Sequence, residues 1–101
     1  MPIRKVAALS EFRIFETNEF IQQRGKITPA DASRIRSKLE SYVYPQLKQS
    51  PFRGTNIKKL RGYSPNIWRY RINKFRLFYS VDNRKKIVFM LTIDFRKDAY
   101  R

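Results

Sequence analysis

Three arginines and a tyrosine are the side chains in this sequence best suited to chemistry: Arg69, Arg71, Arg76 and Tyr100. A guanidinium presents a rigid fork of donors that matches phosphate oxygens. Several of them around one phosphate stabilise the charge that builds in a pentavalent transition state. RNA carries its own nucleophile, the 2'-OH, so a site of this kind can cleave it without a metal. Proton transfer remains to be supplied. Tyr100, in the closing run FRKDAY, is the candidate, because neighbouring cations favour the phenolate of a group that ordinarily titrates near pH ~10. The plainer alternatives are a packing role for Tyr100 and a solvated strand face for the arginines.

Other chemistries lack their residues. The 101 residues include no histidine and no cysteine, which removes the usual general base, the commonest metal ligand and any thiol nucleophile. Asp82, Asp94 and Asp98 are too scattered for a two-metal centre. Gly25, Gly54 and Gly62 are isolated turn residues, so there is no phosphate loop. Twenty-three Lys and Arg against eight Asp and Glu leave a net charge of +15. Such an excess points to an anionic partner: nucleic acid, an acidic protein segment or both, with an anionic membrane a weaker alternative. No acidic residue occurs between Glu40 and Asp82, where nine basic residues fall. No apolar run is long enough to cross a membrane. The opening residues are too briefly apolar for a signal peptide, and nothing requires an oxidising compartment.

These residues must be positioned by a hairpin. Residues 68–81 read WRYRINKFRLFYSV, an alternation of period two broken at Asn73-Lys74. A two-residue loop places Ile72 opposite Phe75, Arg71 opposite Arg76, Tyr70 opposite Leu77, Arg69 opposite Phe78 and Trp68 opposite Tyr79. One face then carries Trp68, Tyr70, Ile72, Phe75, Leu77, Tyr79 and Val81. The other carries Arg69, Arg71 and Arg76. Like charges set directly opposite destabilise a sheet, which suggests that they are kept for something anionic.

The remaining elements give an α+β chain. Residues 11–16 read as a short strand, and Thr17 or Asn18 caps a short helix over about 19–24 with Phe20 and Ile21 as its contacts. Thr28, Pro29 and Asp31 start a longer helix with Ile35, Leu39, Tyr42 and Val43 on its apolar stripe, ended near Tyr44 by Pro45. Ile57 and Leu60 anchor a short strand or turn that exposes Lys58, Lys59 and Arg61. Asp82 to Lys85 form a polar turn. Residues 86–93, KIVFMLTI, are apolar on both faces, as a central strand would be. Both helices are expected on the hairpin face opposite the arginines.

Four segments in this order, IKKLRG from Ile57, WRYRI from Trp68, FRLFY from Phe75 and FRKDAY from Phe95, resemble the RelE/ParE superfamily of toxins from toxin-antitoxin pairs. The resemblance is strong from Asn56 to Arg101 and looser from Glu11, and it implies a single toxin domain over 1–101 with residues 1–10 an extension outside the resemblance. It implies a compact fold with two N-terminal helices on one face of a twisted, mainly antiparallel sheet, in a cytoplasmic protein. It also implies an acidic antitoxin as partner and, in the RNase branch, metal-free and cofactor-free cleavage of mRNA in the ribosomal A site, leaving a 2',3'-cyclic phosphate. The matching positions are Arg69, Arg71, Arg76, Arg96 and Tyr100 for catalysis. Lys58, Lys59, Arg61 and Lys74 join them as RNA contacts. Phe95 departs from the family, where many members have histidine, and leaves Tyr100 as the evident base. The alternatives are the gyrase-poisoning branch, whose members tend to lack this full set, and a nucleic-acid-binding module without catalysis.

Overall fold

The computed structural model of the chain describes residues 11–95. Strand β1 (Arg13–Glu16) leads into helix α1 (Asn18–Gly25) and then helix α2 (Pro29–Lys38). A π-helical turn (Leu39–Val43) joins α2 directly to helix α3 (Tyr44–Gln49). Strands β2 (Ile57–Lys59), β3 (Trp68–Ile72), β4 (Phe75–Asp82) and β5 (Ile87–Phe95) follow. The sheet order is β1-β5-β4-β3-β2, with β1 parallel to β5 and every other pairing antiparallel. The 57–59 segment is therefore a strand, which raises the sheet to five.

Both helix starts follow the expected chemistry. The Thr17 hydroxyl accepts from the Phe20 amide at 3.2 Å and the Thr28 hydroxyl from the Asp31 amide at 3.3 Å. Pro29 sits in the first turn of α2, where its missing N–H is not needed. Pro45, in contrast, does not end the helix. The Tyr44 amide reaches back five residues to the Leu39 carbonyl, and this wider turn carries the chain past the proline into α3. It also sets which side chains face inward. Ile35, Leu39, Val43 and Leu47 are all buried, a spacing of four that would drift around a regular helix by about 40° per step. The wider turn absorbs that drift. Tyr42, expected on this stripe, instead stands 63% exposed with the Lys38 ammonium 5.0 Å from its ring centre. Ile21 is likewise turned outward, and Phe20 alone supplies the buried contact of α1.

The hairpin has the expected register in all five pairs, from Trp68 opposite Tyr79 to Ile72 opposite Phe75. Asn73 takes the left-handed conformation at φ 51°. This is a backbone that asparagine tolerates better than most residues. Tyr70, Ile72, Phe75, Leu77 and Tyr79 are buried against Phe20, Ile35, Leu39, Val43 and Leu47, so the helices cover the face opposite the arginines. Two buried tyrosines also tie down α3 and the loop after it. The Tyr79 hydroxyl donates to the Pro51 carbonyl at 2.6 Å, and the Tyr70 hydroxyl donates to Gln46 Oε1 at 2.7 Å. Among the described residues, no helix is long and apolar enough to cross a membrane.

Strand β5 holds a feature that alternation alone does not reveal. Its pairing with β4 runs from Asp82 opposite Ile87 to Tyr79 opposite Met90, then skips Leu91, so that Phe78 faces Thr92. This bulge reverses which side chains point inward. Val88 and Met90 are buried before it and Ile93 after it. The Leu91 carbonyl accepts from the Thr17 hydroxyl at 3.1 Å, so the residue that caps α1 also clamps the bulge.

Candidate functional site

Residues directly opposite across a sheet share a face, so the register assembles the site. One row runs Lys58, Arg69, Phe78, Thr92 and the next runs Arg71, Arg76, Asp94. Four basic side chains thus meet on the open face of β2, β3 and β4. Lys59, opposite Trp68, has the other parity and lies away from them. Arg61 is exposed in the loop after β2. Lys74 sits at the hairpin tip, 3.4 Å from Asp31 at the start of α2. Arg96 and Tyr100 lie outside the described residues.

The Arg71–Arg76 opposition is close. Ile72 and Phe75 close the turn, and the Arg71 amide points away from β4 to the Asn56 carbonyl at 3.0 Å. Arg71 and Arg76 are therefore a non-hydrogen-bonded pair, the type with Cα atoms only about 4.5 Å apart and side chains nearest. Both side chains are half-buried. Their Nε atoms are buried and have no hydrogen-bond partner among the described residues. A buried donor without an acceptor is costly, and an anion bound at this face would supply one. The Arg76 guanidinium also lies 5.9 Å from the centre of the Phe78 ring, along the same strand face.

Asp94 completes the row. Its Oδ2 accepts from Arg76 Nη2 at 2.7 Å. Sequence reasoning treats this residue as one of several scattered acids, because its placement depends on the bulge. Were Leu91 paired with Phe78 in regular alternation instead of bulged, Arg76 would face Ile93 and Asp94 would point into the core. The only hint in the sequence is that an aspartate in phase with buried Val88 and Met90 would be unacceptable there. Among the described residues, no group of three or more acidic side chains could hold a metal ion.

A second charged cluster lies on the helix side of the sheet. Glu16 Oε2 accepts from Arg24 Nη1 at 2.7 Å and from the Tyr44 hydroxyl at 2.5 Å. Burial pushes the Glu16 pKa up, but the two hydrogen bonds and the Arg24 charge outweigh it, and the carboxyl titrates below its ordinary value. Burial, then the hydrogen bond to Glu16, pushes the Tyr44 phenol well up.

The sheet thus carries a basic face on one side and a helical layer on the other. Residues 15–100 match the family described as the ParE toxin of the type II toxin-antitoxin system, parDE. The chain belongs to the RelE/ParE toxin superfamily. Its fold is similar to that of the toxin-antitoxin complex RelBE2 from Mycobacterium tuberculosis (TM-score 0.68, 21% identity, covering 85% of this chain and 99% of that one). The RelB-RelE complex from Methanococcus jannaschii is also similar (TM-score 0.62, 21% identity, 85% and 94% covered). So is the isolated E. coli RelE toxin (TM-score 0.61, 21% identity, 83% of each chain). No curated protein matches the chain by sequence.

Proposed function

We propose that this toxin is a metal-independent endoribonuclease that cleaves mRNA on the ribosome by attack of a 2'-OH on the scissile phosphate. The observation that carries the reading is the Arg71–Arg76 opposition, two arginines paired across β3 and β4 on the sheet face away from the helices, with Nε atoms that have no acceptor among the described residues. Arg76 is the main stabiliser of developing charge. Arg69, Arg71 and Lys58 hold the neighbouring backbone, and Arg61, Lys59 and Lys74 contribute charge around the site. Arg96 stabilises the leaving 5'-oxygen electrostatically, and Tyr100 takes or orients the 2'-OH proton. An acidic antitoxin segment covers the arginine face and restrains the protein. Charge complementarity with a +15 chain supports that partner.

The match to the ParE family favours a second reading, a poison of DNA gyrase without RNase activity. One experiment separates them: parent, Arg76→Ala and Tyr100→Phe, each assayed for cleavage of ribosome-bound mRNA and for inhibition of gyrase on supercoiled plasmid. The RNase reading expects cleavage by the parent, strong losses in both variants and no effect on gyrase. Gyrase inhibition without cleavage would transfer the case to the second reading.

A further inference from the structure

The row Arg71, Arg76, Asp94 contains two cations and one anion, and the anion is placed asymmetrically. Asp94 bonds Arg76 from the β5 side, while Arg71 stands opposite Arg76 on β3. A lone arginine across from another would swing away from it through several rotatable bonds. Here the 2.7 Å bond to Asp94 fixes the Arg76 head. The cost of that arrangement lies in binding. Asp94 is the one carboxylate of the row, and it lowers the positive potential that a phosphate meets. Its side chain is 48% exposed against 24% for Arg76, so it is held at the surface by its partner rather than by packing. A strand bulge clamped by Thr17 is what brings it there.

Resting on the RNase reading above, we infer that Asp94 is a positioning residue, which fixes the Arg76 guanidinium for the transition state at the expense of ground-state affinity for RNA. Removing the carboxylate then slows the chemical step without weakening binding. The untethered guanidinium samples more orientations, and the chemical step slows. The mRNA meets one negative charge fewer, and its binding strengthens or holds. A residue that only supported the fold would instead lower the folded fraction, leaving both constants of the folded molecules unchanged.

The test is cleavage of ribosome-bound mRNA by the parent, Asp94→Ala, Asp94→Glu, Arg76→Ala and the Arg76→Ala/Asp94→Ala double variant, with folded fraction measured by circular dichroism. Asp94→Ala should lose about tenfold in kcat without a rise in KM. Asp94→Glu, which keeps the acceptor, should recover most of that loss. The double variant should match Arg76→Ala alone, since there is nothing left to position. Parental or faster turnover by Asp94→Ala overturns the inference, as does a loss that persists in the Arg76→Ala background. A parent chain that leaves mRNA intact removes the RNase reading and this inference with it, and that result is visible before any variant is compared.

Discussion

Two of the charged clusters among the described residues are built on bonds of the same length but differ in their balance of charge. Glu16 and Asp94 each accept from an arginine at 2.7 Å. Around Glu16 the donors number two, Arg24 and Tyr44, and they converge on one carboxylate oxygen that ties β1 to α1 and α3. Around Asp94 cations are in surplus, because Arg76 already faces Arg71, and the Nε atoms of both arginines are buried without an acceptor among the described residues. The bond lengths do not differ between the two clusters. The balance of donors and acceptors does.

The sharpest way to break the comparison is to delete one arginine from each cluster. Arg76→Ala should cut single-turnover cleavage of ribosome-bound mRNA about a hundredfold while urea unfolding stays near that of the parent. Arg24→Ala should do the reverse and lower stability, with cleavage per folded molecule preserved. Equal effects of the two substitutions on turnover would remove the distinction drawn here.

Thr17 links the two regions, since it caps α1 and holds the bulge that delivers Asp94. Thr17→Ala should cost about 1–2 kcal/mol in urea unfolding through the lost cap. It should also slow cleavage in the manner of Asp94→Ala, because the bulge is loosened. A pure stability effect would show that the clamp is not needed for the register.

Acid should read out the Glu16 cluster. Its folded pKa lies below the ordinary value of 4.5, so the unfolded chain binds the proton more readily. The contribution to stability is then complete above about pH 4.5 and is lost as pH falls through the lower folded value. Unfolding followed from pH 6 downward should therefore show a steeper acid limb for the parent than for Glu16→Gln. Matching slopes would mean that Arg24 and Tyr44 do not hold the carboxylate charged.

The smallest effect concerns the two neighbouring lysines of β2. Lys58 shares the arginine face and Lys59 does not. Filter binding of an RNA oligonucleotide should weaken severalfold for Lys58→Ala, with the salt dependence reduced by about 0.7 in log-log slope. Lys59→Ala should change it less. Equal losses would mean that the RNA contact follows net charge rather than the face of the sheet.

The sequence by itself determined the hairpin and the face on which the arginines stand. A two-residue turn and strict alternation leave only one register that keeps Tyr70, Ile72, Phe75, Leu77 and Tyr79 together on the covered side. The helix start at Thr28 is equally plain, because a cap is chemistry between near neighbours, and the start of α1 is narrowed by the sequence to Thr17 or Asn18, of which Thr17 makes the cap. Pro45 misled, since its ordinary effect is to stop a helix, and a π turn that carries the chain past it has no local signature. Tyr42 followed from that error, because a wider turn rotates every side chain after it. Asp94 was out of reach for a different reason. Its partner is set by one extra residue in β5, and that residue is held by a threonine 74 positions earlier in the chain. Alternation is a local property and can be read from a strand alone. A bulge is a bargain between strands and the layer that covers them, so only the tertiary structure decided which acid would stand beside Arg76.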